Sequence, residues 1–196
     1  MNSVAAPFDR ATLEVALGRL GEYAAAEGKV IEISIYGGSA LLLTFDQRAA
    51  TRDVDAVFDN DRDFVRRAAA KVAEEFGWSG NWINDGVKGF LSARDVQPEA
   101  KALFRSYPAG DGAGLRVFLA TPSYLFAMKC LAMRLGGVEA SQDIDDIRLL
   151  GRALDIRTFD EAIAVVSRYY PDGRISPKTQ FGLQEIFGAG KTKDVR

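Results

Sequence analysis

Two aspartates, Asp53 and Asp55, are the residues of this sequence whose type and spacing best suit a hard metal ion. They belong to the segment DVDAVF, residues 53–58, whose alternation of polar and apolar residues predicts a β-strand. Residues two apart on a strand point to the same face, so the two carboxylates would stand side by side. Like charges this close repel each other unless a cation lies between them, and Mg²⁺ prefers oxygen ligands. The pair predicts a magnesium site, although a solvated strand end would show the same D-x-D pattern.

The segment Gly37-Gly38-Ser39 lies between a predicted strand, residues 30–36, and a predicted short helix, residues 39–45, that Ser39 could cap. Glycines let the backbone approach a phosphate closely, and a helix N-terminus offers unpaired N–H groups and a favourable dipole. An ordinary tight turn is the alternative. Because Arg48 and Arg52 follow just before the two aspartates, the order of residues predicts a phosphate-binding loop beside the metal pair.

Lys129 is the only charged residue in the run LFAMKCLAM, residues 125–133, which predicts a helix buried on all sides. Removing an ammonium group from water is costly unless an anion is nearby. The lysine is therefore expected to meet a phosphate or a carboxylate, unless its long side chain reaches solvent.

A group of acidic residues, Asp143, Asp145 and Asp146, begins another predicted helix. Helical spacing places Asp143 on the same face as the apolar residues that follow it, whereas Asp145 points elsewhere. Acidic residues in a first helical turn also stabilise the helix dipole, so this pattern has a structural explanation as well as a functional one.

The elements that must position these residues follow from hydrophobic periodicity. Residues 1–120 predict a mixed sheet with flanking helices, and residues 121–196 predict a helical region packed on that core. The whole is an α/β (α+β) fold. The predicted helices are 8–27, 39–45, 61–77, 122–135, 142–154, 158–169 and 176–187. The predicted strands are 30–36, 53–58 and 115–120, with an edge strand in ALFRSYP after an irregular segment from residue 78.

The amino-acid composition excludes several kinds of catalytic site. The 196 residues include no histidine, which excludes Ser/His/Asp hydrolysis, Cys/His proteolysis and His-ligated zinc. The single cysteine, Cys130, lies in an apolar run typical of a buried residue. A formal charge of -2 means that a nucleic-acid partner would need a local basic patch. The start, MNSVAAPFDR, has no signal-peptide pattern and no stretch is apolar enough to span a membrane, so we expect a cytoplasmic protein.

The segment GGSALLLTFDQRAATRDVD resembles the Gly-Ser and D-x-D signature of the nucleotidyltransferase superfamily, in the form found in AbiEii-like toxins, which include the mycobacterial MenT group. The resemblance extends to WINDGVKGF, PSYLFAMKCLAMR and DIDDIRLL, and so covers about residues 30–155. It implies a nucleotidyltransferase fold and an active-site aspartate at Asp143 or Asp146. It also implies that Asp53 and Asp55 bind Mg²⁺ and that the NTP phosphates meet Gly37, Gly38, Ser39, Arg48 and Lys129.

The activity implied by the resemblance is magnesium-dependent transfer of NMP from an NTP to an acceptor hydroxyl, with the 3′ end of a tRNA as one acceptor. The biological role would be a toxin restrained by a cognate antitoxin protein. The alternatives are transfer to a small-molecule hydroxyl, as in antibiotic-modifying enzymes, and a catalytically silent nucleotide- or partner-binding module. One departure concerns the general base: many nucleotidyltransferases carry a third carboxylate on a later strand, but LRVFLA has Arg116 and no acid. Either Asp143 or Asp146 replaces it, or the metal activates the hydroxyl.

Overall fold

The computed structural model describes residues 7–45, 50–134 and 137–188. The chain divides into two compact units. The first unit consists of Met1–Gly89 and Lys101–Ala120, and the second of Phe90–Ala100 and Thr121–Arg196. Among the described residues, no helix has both the length and the apolar character needed to cross a membrane.

The first unit is built on a five-stranded mixed sheet in the order β3-β2-β1-β5-β4. Its strands are β1 (Ile31–Ile35), β2 (Val54–Phe58), β3 (Ile83–Asn84), β4 (Lys101–Tyr107) and β5 (Leu115–Ala120). The central strand β1 runs parallel to β5 and antiparallel to β2. At the two edges, β3 is parallel to β2 and β4 is antiparallel to β5. The predicted mixed sheet with flanking helices is confirmed.

The two faces of this sheet differ as the alternation of side chains requires. On one face, the isoleucines of β1 and the apolar residues Val54 and Ala56 of β2 are fully buried. The helix α1 (Arg10–Ala26) packs on β4, on β5 and on α3 (Arg62–Phe76). The opposite face carries the polar residues of β1 and β2, including Asp55. Asp55 therefore lies on the face opposite the buried isoleucines of β1.

Local signals set the bounds of the helices in this unit. The Asp9 carboxylate accepts a hydrogen bond from the Thr12 N–H and caps α1. Helix α3 starts at the Asp61 cap and ends at Gly77, whose φ of +67° places it in the left-handed region. Between them, α2 (Gly37–Thr44) contacts β2.

The second unit is helical over its described C-terminal part, as predicted. It contains α4 (Pro122–Ala132), α5 (Gly137–Ala153), α6 (Phe159–Tyr169) and α7 (Pro177–Phe187). Helix α4 contacts α5, α6 and α7, so it forms the centre of this unit. Pro122 occupies the first turn of α4, where its missing N–H costs least. A capping box formed by Thr158 and Glu161 starts α6.

Helix α5 and strand β3 differ most from the predictions. Helix α5 begins at Gly137 instead of near residue 142, so Asp143 and Asp146 lie beyond its first turn. The explanation of these acids by the dipole of a first turn is therefore wrong. Strand β3 was not predicted, because two residues carry no periodicity and only their pairing with Val54 and Asp55 of β2 makes them a strand.

Candidate functional site

The Gly-Gly-Ser segment forms the start of α2. Helix α2 begins at Gly37 and has Tyr36 at its N-cap position, so the prediction that Ser39 caps the helix is wrong. The Ser39 side chain is buried and its hydroxyl donates to the carbonyl of Tyr36. The left-handed φ of Gly37, +60°, lets the chain turn directly from β1 into the helix, two residues earlier than predicted. The first amides of α2 have no acceptor within their own helix and can meet an anion.

The two aspartates of the D-x-D motif lie at the start of β2. Asp53 immediately precedes the strand and is exposed, whereas Asp55 lies within it and is partly buried. The Asn84 side-chain amide donates to Oδ2 of Asp53 at 3.4 Å, and its own Oδ1 accepts from the Gly86 N–H at 2.8 Å. Asn84 therefore links the loop after β3 to the carboxylate pair.

The start of α2 lies directly against Asp55. The Asp55 carbonyl accepts from the Tyr36 N–H at 2.9 Å. A Cβ atom placed on Gly37 would lie 2.7 Å from Oδ2 of Asp55, which is closer than real Cβ contacts allow. The structure thus brings Gly37 and Asp55 together at a distance that only glycine permits.

Changing Gly37 to alanine tests this arrangement. We expect Gly37→Ala to destabilise the protein by about 1–3 kcal/mol, because it forces a non-glycine residue into a left-handed conformation and pushes the Asp55 carboxylate aside. Thermal unfolding measures the loss. Gly28→Ala is the matched control, because Gly28 also has a left-handed φ, +65°, but a Cβ there meets no atom within 4 Å. Equal stability of Gly37→Ala and the wild type would contradict the close packing.

A second group of predicted residues comes together within the helical unit. The Lys129 ammonium lies 2.7 Å from Oδ2 of Asp146 and 3.6 Å from Oδ1 of Asp143. All three side chains are at least 85% buried, with exposed fractions of 15% for the lysine and 8% and 5% for the two aspartates. The expectation that Lys129 contacts an anion is confirmed, and the anions are two carboxylates. We call Lys129, Asp143, Asp146 and Arg134 the α4–α5 charge cluster.

Arg134 completes the cluster. Its backbone N–H and Nε donate to Oδ2 of Asp143 at 3.2 and 2.9 Å, and its Nη2 donates to Oδ1 at 3.2 Å. The cluster therefore contains two cations and two anions, which offset each other's charge. Asp145, by contrast, has a side chain 76% exposed and lies 4.0 Å from Arg148, so it points elsewhere as predicted.

The pKa of Asp143 reflects these contacts. Burial acts to raise it, but the hydrogen bonds from Arg134 and the charge of Lys129 outweigh burial and lower the pKa below its ordinary value. A carboxylate whose pKa is lowered on folding adds stability above its unfolded pKa, about 3.9, and that stability is lost as the pH falls through the lowered value.

A pH series with Asp143→Asn tests this linkage. We expect the variant to be less stable than the wild type at pH 7, and we expect the difference to shrink as the pH is lowered from about 4. Thermal melts between neutral pH and pH 2 measure both. Asp145→Asn is the control, because its exposed carboxylate should leave stability unchanged at every pH. A constant difference between Asp143→Asn and the wild type would show that this carboxylate has an ordinary pKa.

Three further residues complete the account of the predicted candidates. Arg48 lies outside the described residues. Cys130 is buried and burial raises the pKa of its thiol, in agreement with a structural role. Arg116, the residue in place of a third carboxylate, donates to Glu32 at 3.0 Å on the neighbouring strand. The sequence analysis gave no role to Asn84 or Arg134, although they lie in the segments WINDGVKGF and PSYLFAMKCLAMR of the resemblance.

A metal ion at Asp53 and Asp55 would have few protein ligands. Among the residues that the structure describes, no group of three or more Asp, Glu, Cys or His side chains is arranged to hold one. The two aspartates remain a donor pair of hard oxygens, which Mg²⁺ binds together with waters and substrate phosphates.

Comparison with known proteins gave one distant likeness. No protein-family model and no curated protein matches the chain. The chain is similar to the crystal structure of an antigenic nucleotidyltransferase-like protein from Paracoccidioides brasiliensis, with 16% identity and a TM-score of 0.48 over 93% of this chain and all of that chain. A likeness this distant supports no statement about chemistry.

Proposed function

We propose that the protein is a magnesium-dependent nucleotidyltransferase that transfers NMP from an NTP to an acceptor hydroxyl. The observation that carries the proposal is the contact between Gly37 and Asp55, where a Cβ would lie 2.7 Å from the carboxylate. It places the amide-rich start of a helix, suited to phosphate, directly against a D-x-D carboxylate pair, suited to a hard cation. Both features are what a nucleoside triphosphate with its metal needs.

The donor set fits Mg²⁺, with Asp53 and Asp55 as the ligands. Such a metal supplies charge neutralisation on the triphosphate and helps to fix its orientation. The backbone amides at Gly37 and Gly38 would bind phosphate oxygens, and Asn84 would orient the Asp53 carboxylate through its hydrogen bond. Ser39 would contribute its N–H group, because its hydroxyl already donates to Tyr36.

The role of the α4–α5 charge cluster in this proposal follows from its chemistry. Lys129 is a cation that could also contact a phosphate of the NTP. Asp143 and Asp146 are the two candidates for the general base. The lowered pKa of Asp143 makes it a weak proton acceptor. Either Asp143 or Asp146, both paired with Lys129, acts as the base, or the metal activates the hydroxyl.

The test is incubation with each α-labelled NTP, Mg²⁺ and total RNA, followed by measurement of label in RNA and of released pyrophosphate. We expect one or more NTPs to release pyrophosphate and to label RNA. Pyrophosphate release that depends on an added small-molecule alcohol and leaves RNA unlabelled would favour a small-molecule acceptor. If no NTP gives pyrophosphate release, the result would favour a catalytically silent module that binds a nucleotide or a partner.

The proposal that the acceptor is the 3′ end of a tRNA, and that the protein is a toxin with an antitoxin partner, rests on the resemblance of its motifs. Growth inhibition on expression, relieved by a protein encoded beside it, would support this role. A tRNA whose 3′ end is lengthened in vitro would identify the acceptor.

An RNA acceptor predicts a strong dependence of binding on salt. Arg52 is an exposed cation beside the D-x-D motif, and Lys88 is exposed but paired with Asp85. Other basic candidates, Arg48, Lys191, Lys193 and Arg196, lie outside the described residues. We expect Arg52→Gln to reduce the slope of log affinity against log salt by roughly 0.7, the value for one phosphate contact on a single strand.

The affinity for RNA between low and physiological salt measures this slope. Arg157→Gln serves as the control, because Arg157 is exposed and pairs with Asp155 in the helical unit. Shallow and identical slopes for the wild type and Arg52→Gln would count against RNA and favour a small-molecule acceptor.

A further inference from the structure

A pocket of about 330 Å³ lies beside β3 in the first unit. Phe58, Ala69 and Ile83 contribute apolar surface to it and are themselves at least 94% buried. Its volume is at the lower end of the range for small-molecule sites. The pocket therefore has a mixed lining, with an apolar part and a larger polar part, and room for a small ring system.

The polar residues of the pocket are two amides and one ion pair. Asn81 and Asn84 line it, together with Arg66 and Asp85, whose Nη2 and Oδ2 atoms are 3.6 Å apart. One positive and one negative side chain leave the lining without net charge. Such a lining suits a neutral polar ring better than a phosphate, which would need unbalanced cations.

Amide, guanidinium and carboxylate groups are the side chains that recognise the edges of nucleobases by hydrogen bonding. Proteins that bind an unstacked base also pack apolar or aromatic residues against its ring. The pocket offers both kinds of surface. Asn84, moreover, lines the pocket while its amide donates to Asp53 of the D-x-D pair.

We propose that this pocket binds a nucleobase, with Asn81 and Asn84 hydrogen-bonding to its edge and the apolar residues packing on its ring. A nucleotide whose base lies here would have its phosphates near Asp53 and Asp55. A role for the pocket in catalysis therefore rests on the proposed function. The base belongs to the NTP or to the acceptor RNA, and the chemistry of recognition is the same for both.

The first test uses the four ribonucleosides without metal or triphosphate, with ligand-observed NMR as the readout. We expect saturable binding of at least one nucleoside by the wild type. Gly80 lines the pocket and a Cβ there meets no atom within 4 Å, so Gly80→Phe adds a side chain at the pocket wall without a backbone clash. Gly112→Phe is the matched control, because Gly112 also has open space but is not among the residues lining the pocket.

We expect Gly80→Phe and Asn81→Ala each to weaken nucleoside binding roughly tenfold or more, and Gly112→Phe to leave it unchanged. Asn81 is exposed, so its truncation preserves the fold even where Gly80→Phe does not. Arg66→Gln should also weaken binding, whereas Arg67→Gln, on the neighbouring position of α3, should not. Absence of saturable binding by the wild type, or full binding by both Gly80→Phe and Asn81→Ala, would overturn the proposal.

Kinetics of transfer then identify the source of the base. A raised KM for the NTP in Asn81→Ala assigns the pocket to the NTP, and a raised KM for RNA assigns it to the acceptor. Nucleoside binding is measured without metal or turnover. Loss of nucleoside binding together with normal nucleotidyl transfer would therefore reject only the proposal that the pocket binds a base. Nucleoside binding without transfer would reject the proposed function and retain the pocket.

Discussion

Asp55→Asn should strongly reduce nucleotidyl transfer while the fold remains intact. Asp55 lies on β2 against the start of α2, and its main-chain carbonyl, which the substitution keeps, holds the Tyr36 N–H. Loss of the charge removes a metal ligand, and we expect the rate to fall by roughly 10²- to 10³-fold, as when one group that stabilises transition-state charge is removed. Removing a like charge beside Asp53 also relieves repulsion, so the melting temperature should stay level or rise.

The measurement pairs transfer of label from α-labelled NTP with a thermal melt. Asp53→Asn should behave in the same way as Asp55→Asn. Asp111→Asn is the control, since Asp111 is an exposed acid in the same unit outside the motif. Normal activity of both motif variants at saturating Mg²⁺ would show that the pair does not hold a catalytic metal.

Lys129→Met should lower both stability and NTP use. Lys129 is 15% exposed and lies 2.7 Å from Asp146, so its removal leaves a buried carboxylate without its cation. Breaking a buried pair on one side costs about 3–5 kcal/mol. Methionine has similar length and suits the apolar neighbours, so helix α4 should persist. Lys129→Arg should restore the charge but recover NTP use only in part, because a planar fork does not match a site built for an ammonium group.

A double variant separates the structural role of the α4–α5 charge cluster from its catalytic role. Lys129→Met with Asp146→Asn removes both charges, and we expect it to recover most of the lost stability, because an uncompensated charge is no longer buried. NTP kinetics of the stable double variant then give the answer. Persistent loss of NTP use supports a catalytic role for the cluster. Recovery of both NTP use and stability would show that Lys129 has only a structural role, which is to hold α4 against α5.

Local sequence was sufficient for most elements of the fold. The alternating isoleucines of β1 and the apolar periodicity of α1 and α3 lie in the elements that their patterns predicted. Such patterns are reliable because burial of one face depends on residues a few positions apart. The mixed sheet, the helical end of the chain and the burial of Cys130 followed from the same rule.

Tertiary structure decided what neighbouring residues in sequence cannot reveal. That Lys129 meets carboxylates, and that Arg134 joins them, depends on the packing of α4 against α5. The pairing of two residues into β3 brings Asn84 to Asp53, although 31 positions separate them in the chain. The start of α2 at Gly37 depends on a left-handed φ that only the strand-to-helix turn requires. Residue types and spacing determined which chemistry was available, and contacts between distant segments decided which side chains could carry it out together, because distances across the fold are set by packing and not by position along the chain.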